Sequence, residues 1–226
     1  MGLTALAFSL ITLSTTPVLP AFSAAETELA IQEVRSHETL DLTQRHGNRA
    51  INAGYGDNIR LYLHYLKGDA PQLENNWTKI REPFSFNLTL APGQVLAFHP
   101  AVLPELRNKT VFFADTNLSA SDGYRAVDGL WGKGVCDIAS FLNMAATKAG
   151  LKVTAKTNHD FAPISGVDRR YGTSIYYDPS ENLSSQKQNL YLENTRLNPL
   201  TIMFSVGETN VEIVVVETVG FTGGKS

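Results

Sequence analysis

The 226-residue sequence predicts an α+β protein. One principal helix carries the Cys at its N-terminus and packs on a mostly antiparallel sheet that ends in a C-terminal β-meander. Three observations predict this. After Cys136, the residues Ile138, Phe141, Leu142, Ala145 and Ala149 recur at helical spacing, and Gly150 stands where a helix ends. LKVTAKT (151–157) then alternates as a strand does. Beyond it, SIYYD, NLYLENT, TIMFSV and VEIVVVE are short strand-like runs separated by turn residues, which is the pattern of an antiparallel meander.

The elements follow in chain order. Residues 1–25 carry no charge, hold an apolar run from Leu3 to Leu13, and end in small residues. This reads as a cleavable secretory signal peptide, although no Lys or Arg precedes the apolar run. The run is too short to cross a bilayer. An exported chain is therefore expected (extracellular, periplasmic or cell-wall associated), with no stable membrane span after cleavage. Residues 26–80 form an N-terminal extension. Its first half is polar and weakly periodic, and a short helix near 57–67 places Ile59, Tyr62, Leu63 and Leu66 on one face before Gly68. From Thr78 to His99 the pattern is extended with Pro and Gly breaks, and Thr110–Ala114 reads as another strand. Residues 218–226 read as a flexible tail.

Composition narrows the function. The chain is 43% hydrophobic and 18% charged, enough apolar residues for a sizeable core. Net charge is -3 and no dense Lys/Arg cluster occurs, which argues against nucleic acid as a partner. One cysteine and scattered histidines (His37, His46, His64, His99) make no zinc pattern. No cofactor motif is present, so none is expected.

Chemistry points to Cys136. A thiol attacks as thiolate, and the first turn of a helix favours an anion through its unpaired N–H groups and dipole. Gly132 and Gly134 allow a sharp turn that brings N–H groups close to a reacting carbonyl, as an oxyanion hole requires. Trp131 is placed to line a cleft or to anchor the core. A 14-residue helix spans roughly 20 Å and a seven-residue strand roughly 23 Å, so a helix–turn–strand unit returns His159 beside Cys136. The competing reading is plain: cysteine is among the most buried residue types, and a lone thiol at a helix start is often packing alone.

The stretch GKGVCDIASFLNMAATKAGL followed by NHDFAP resembles the VanW family, with its G-G-G-V-C-Q, helix, A-G-L and strand ending in His. PGQVLAFH, the Gly123-Tyr124 and Ala126 step, and QNLYLENT with Asn194 are similar to further family segments, in the same order, over Thr89–Val216. A VanW-like domain over 81–217 is expected. Lys133 and Asp137 depart from the family pattern, as do GTSI (172–175) and Asn189 where the family carries aspartates. The resemblance implies a cell-envelope role and L,D-transpeptidase-like chemistry on peptidoglycan stem peptides. Cys136 would be the nucleophile, His159 the base and Gly134 part of the oxyanion region. Asp168, in the loop past the histidine, is the substitute for the family's carboxylate. The alternative implied by the missing acidic positions is a non-catalytic envelope binding or scaffold module with a buried Cys136.

Overall fold

The computed structural model describes residues 30–159 and 163–220. The expected leader over 1–25, Asp160 beside the candidate histidine, and the tail beyond Gly220 lie outside the described residues. In chain order come β1 (Ala30–Asp41), α1 (Arg49–Lys67), α2 (Trp77–Ile80), β2 (Phe84–Leu90), β3 (Val95–Ala97), β4 (Val111–Phe113), β5 (Ala126–Val127) and β6 (Leu130–Trp131). They are followed by α3 (Val135–Lys148), β7 (Lys152–Ala155), α4 (Asn182–Lys187), β8 (Leu190–Glu193), β9 (Leu200–Val206) and β10 (Asn210–Gly220). The fold is α+β.

The first sheet has the order β1-β10-β9-β2 and is antiparallel throughout. Alternation decides its inner face. Leu200, Ile202, Phe204 and Val206 of β9 point inward beside Val211, Ile213 and Val215 of β10, and all seven are buried. The second sheet has the order β4-β3-β8-β7, with β3 and β4 parallel and the other pairs antiparallel. Helix α3 touches β1 and β10 of the first sheet and β7 and β8 of the second. A helix packed on several sides must be apolar on several sides, and Ile138, Ala139, Phe141, Leu142, Ala145 and Ala146 are all buried.

The N-terminal region holds more structure than its periodicity predicts. Residues 30–41 form an edge strand that pairs with β10, from Ala30 opposite Gly220 to Asp41 opposite Asn210. A register shift between Val34 and Ser36 breaks the alternation, and over residues 31–41 only Ser36 and Leu40 are buried, so no apolar pattern marks it. Helix α1 starts at Arg49 rather than near Asp57, and its first turns include Gly54 and Gly56. Glycine disfavours helix by about 1 kcal/mol, which hides this half from propensity. Close packing explains Gly54: a Cβ there would come within 2.6 Å of Val127.

The C-terminal strands also differ in detail. β9 and β10 form the expected antiparallel pair, and β10 continues to Gly220. NLYLENT yields β8, but in the second sheet, between β3 and β7. SIYYD carries no strand. Its backbone is held by Ser174 N–H donating to the Thr157 carbonyl and Tyr176 N–H donating to that of Gln188.

Candidate active site around Cys136

The site begins with a turn. β5 and β6 form a short hairpin, and the chain then passes through Gly132 (φ 68°) and Gly134 (φ 103°) into α3. Both values lie where side chains are strained. Gly134 is needed for a second reason: a Cβ on it would lie 2.7 Å from the Tyr55 carbonyl oxygen of α1. Asn58 of α1, fully buried, clamps the same turn. Its amide donates to the carbonyls of Arg125 (3.0 Å) and Lys133 (2.9 Å) and accepts from Arg125 N–H (2.8 Å). The backbone that presents the cysteine is therefore fixed by α1.

Cys136 occupies the first turn of α3. The carbonyls of Gly132 and Gly134 accept from the N–H groups of Val135, Asp137 and Ile138. The N–H of Cys136 has no acceptor among the described residues, so it is open to an incoming oxygen. The residue is partly exposed, but its sulfur faces the segment after Gly172. Ile175 N–H donates to Sγ at 3.4 Å, and the thiol donates to the Ile175 carbonyl at 3.8 Å. That segment is tied to α3 by Ser140, which accepts from Thr173 N–H (2.9 Å), and by Asn143, which donates to the Tyr171 carbonyl (3.0 Å). Burial pushes the Cys136 thiol up to about 11, against the lowering effect of the Ile175 hydrogen bond. Burial outweighs the helix N-terminus here, and the resting thiol is protonated.

His159 is half-buried, and its backbone packs against Gly172, where a Cβ would meet the His159 carbonyl at 2.7 Å. Burial lowers its pKa, and the nearby charge of Arg45 lowers it further. Cys136 and His159 line one cavity of about 710 Å³, together with Trp131, Gly132, Gly134 and Tyr176. Among the described residues no hydrogen bond joins the thiol to the imidazole. Trp131 is 58% exposed, so it forms the rim of the cavity and is not a core anchor.

Asp168 is not brought to the cavity. It caps the short helical turn Arg169–Tyr171 by accepting from Arg170 N–H at 3.0 Å, and it lies 3.6 Å from Arg170 Nε. A short acidic side chain just before a helical turn satisfies that turn's free N–H. His99 lies behind Tyr177, stacked on it at 4.9 Å, with burial lowering its pKa to about 4. Asn189 is structural: fully buried, it bonds the backbone of Phe98, His99, Ala101 and Leu190.

The residue missed by sequence reasoning is Arg45. It lines the cavity from the loop before α1, and its Nε donates to Asp137 Oδ2 at 2.7 Å. A second guanidinium nitrogen donates to the Pro163 carbonyl. Burial raises the Asp137 carboxyl to about 6, with Arg45 opposing the rise. The unusual aspartate after the cysteine was the available signal: a buried carboxylate needs a cation. Among the described residues, no three His, Cys, Asp or Glu side chains converge to hold a metal, and no helix is long and apolar enough to cross a membrane.

A family model described as VanW like protein matches residues 74–216, more than half of the chain. The chain belongs to the VanW-like family. No curated protein and no solved structure matches it. Cys136, His159 and the glycine turn of this VanW-like protein fall inside the matched residues. Arg45, Tyr55 and Asn58, which complete and fix the site, precede them.

Proposed function

We propose that this VanW-like protein is an exported cysteine acyltransferase acting on peptidoglycan stem peptides, in the manner of an L,D-transpeptidase. One observation carries the reading: the single cysteine, with its own N–H open, shares a cavity with a histidine whose charged form burial disfavours. The family's cell-envelope association supplies the substrate class.

The electrostatics favour a neutral pair over a thiolate–imidazolium pair, since burial disfavours charge on both groups. The thiol then attacks with general-base help. The Cys136 sulfur bonds to the stem-peptide carbonyl carbon as His159 takes the thiol proton. The Cys136 N–H stabilises the oxyanion. His159 returns the proton to the departing nitrogen, the C–N bond breaks, and a D-amino acid leaves. The thioester passes to the amine of a neighbouring stem, which gives its proton through His159 to the released sulfur. Water as acceptor makes the same site a peptidase.

The test is the intact mass of the protein after incubation with a stem tetrapeptide. The expected result is an acyl adduct on Cys136, release of one D-amino acid, and neither in Cys136→Ala. The Ile175 hydrogen bonds to the sulfur favour a second reading, a non-catalytic binding or scaffold module. That reading predicts saturable peptide binding, no adduct, and unchanged affinity in Cys136→Ser.

A further inference from the structure

A second cavity of about 500 Å³ is lined in part by residues flanking Arg45 in its loop. Its lining includes His46, Arg49, Asn52, Gly56, Arg60 and Glu208. Arg60 is only 6% exposed, yet no carboxylate pairs with it among the described residues. One of its terminal nitrogens donates to the carbonyls of Gly207 (3.0 Å) and Glu208, and its Nε has no hydrogen-bond partner. Asp57, the nearest acid on its own helix, is already engaged by Arg81 (2.8 Å) and Arg125 (3.0 Å). Gly56 makes room for the guanidinium: a Cβ there would lie 2.9 Å from it.

The first turn of α1 adds a cation to the same cavity: it holds no acidic residue and begins with Arg49, which is exposed. Its N–H groups are capped within the chain, Asn48 Oδ1 accepting from Ala50 and Ile51 and the Asn48 carbonyl from Asn52. His46 precedes it. Its Nδ1 accepts from Asn48 N–H at 3.0 Å, which leaves Nε2 as an N–H donor. A buried, under-paired guanidinium, an exposed one and an imidazole N–H thus share one cavity, with Glu208 the single acidic side chain among its lining residues.

We propose that this cavity binds a phosphate-type oxyanion, held between Arg60, Arg49 and His46. Guanidinium forks pair with phosphate oxygens bidentately. The volume admits more than a bare phosphate, so the oxyanion can also be the phosphoryl group of a larger molecule. The site does not depend on the thiol chemistry proposed above.

The experiment is isothermal titration of the protein with inorganic phosphate and, separately, with glycerol phosphate, against sodium chloride of matched ionic strength. Saturable binding of either phosphate is expected, with roughly ten-fold or greater loss in Arg49→Ala. The tighter of the two identifies the source of the phosphoryl group. Arg60→Met is the second variant, with its melting curve recorded, because Arg60 also ties down the turn at Gly207. Heats no larger than those of chloride, or binding unchanged in Arg49→Ala and in folded Arg60→Met, would overturn the assignment.

Discussion

Two adjacent residues set the chemistry of the candidate site, and both are shifted by burial in the direction that opposes charge. The Cys136 thiol is pushed up to about 11, whereas a thiol in a denatured chain titrates near ~8.5. Only the thiolate reacts with iodoacetamide. At pH 7 the native chain should therefore alkylate roughly two orders of magnitude more slowly than the denatured one. Cys136 is the sole thiol, so the rate belongs to one site. A native thiol that titrates below the denatured one would replace the neutral pair with an ion pair.

Asp137 makes a separate prediction. Its carboxyl rises from 3.8 to about 6 on folding, because burial outweighs Arg45. A carboxyl raised in the folded state favours folding fully only below its unfolded value, and this advantage is lost as pH rises through the folded value. The loss is roughly 3 kcal/mol, spread between about pH 4 and pH 6. Asp137→Asn abolishes that titration. Urea unfolding of the parent and the variant should therefore give free-energy differences that shift in the variant's favour by about that amount between pH 4 and pH 7. Parallel stability curves for the two proteins would show that Asp137 does not titrate in this window.

Among the elements, the decisive junction is between α1 and the turn into α3. Gly134 has φ 103°, and its α-carbon faces the Tyr55 backbone, which cannot move aside as a flexible side chain can. Gly134→Ala combines backbone strain with overpacking, for an expected loss of roughly 2–4 kcal/mol by denaturant titration. A loss under about 1 kcal/mol would mean that α1 yields and that the turn is not clamped. This junction also marks what sequence could reveal. Helix α3 was legible because its packing on two sheets demands an apolar period strong enough to read; His159 does line the cavity of Cys136, although the strand between them, β7, spans Lys152–Ala155 and not the seven residues expected. The clamp was illegible. Asn58 and Arg45 act through a few polar contacts to groups far along the chain, which leave no periodic trace. Asp168 caps a local turn and does not line the cavity, which its closeness to His159 in sequence could not reveal.

At the scale of the molecule, the residues matched by the family model do not contain their own support. β10 has β1 as its outer partner along most of its length, and removing β1 opens a long row of unpaired backbone groups. Glu217 of β10, only 3% exposed, would lose the ion pair with Arg35. Helix α1 places Leu61, Tyr62 and Leu63 in the core, each at most 1% exposed, and Tyr62 stacks on Phe98 at 3.8 Å. Each such side chain contributes about 1.5–3 kcal/mol, so three of them rival the total of about 5–15 kcal/mol that holds a typical domain together. A fragment confined to residues 74–216 should accordingly show no cooperative thermal transition, while the chain from residue 30 to 220 should melt cooperatively. Calorimetry of the two decides the matter. A fragment that melts cooperatively would make β1 and α1 accessory, and Arg45 would then be an addition to a site able to form without it.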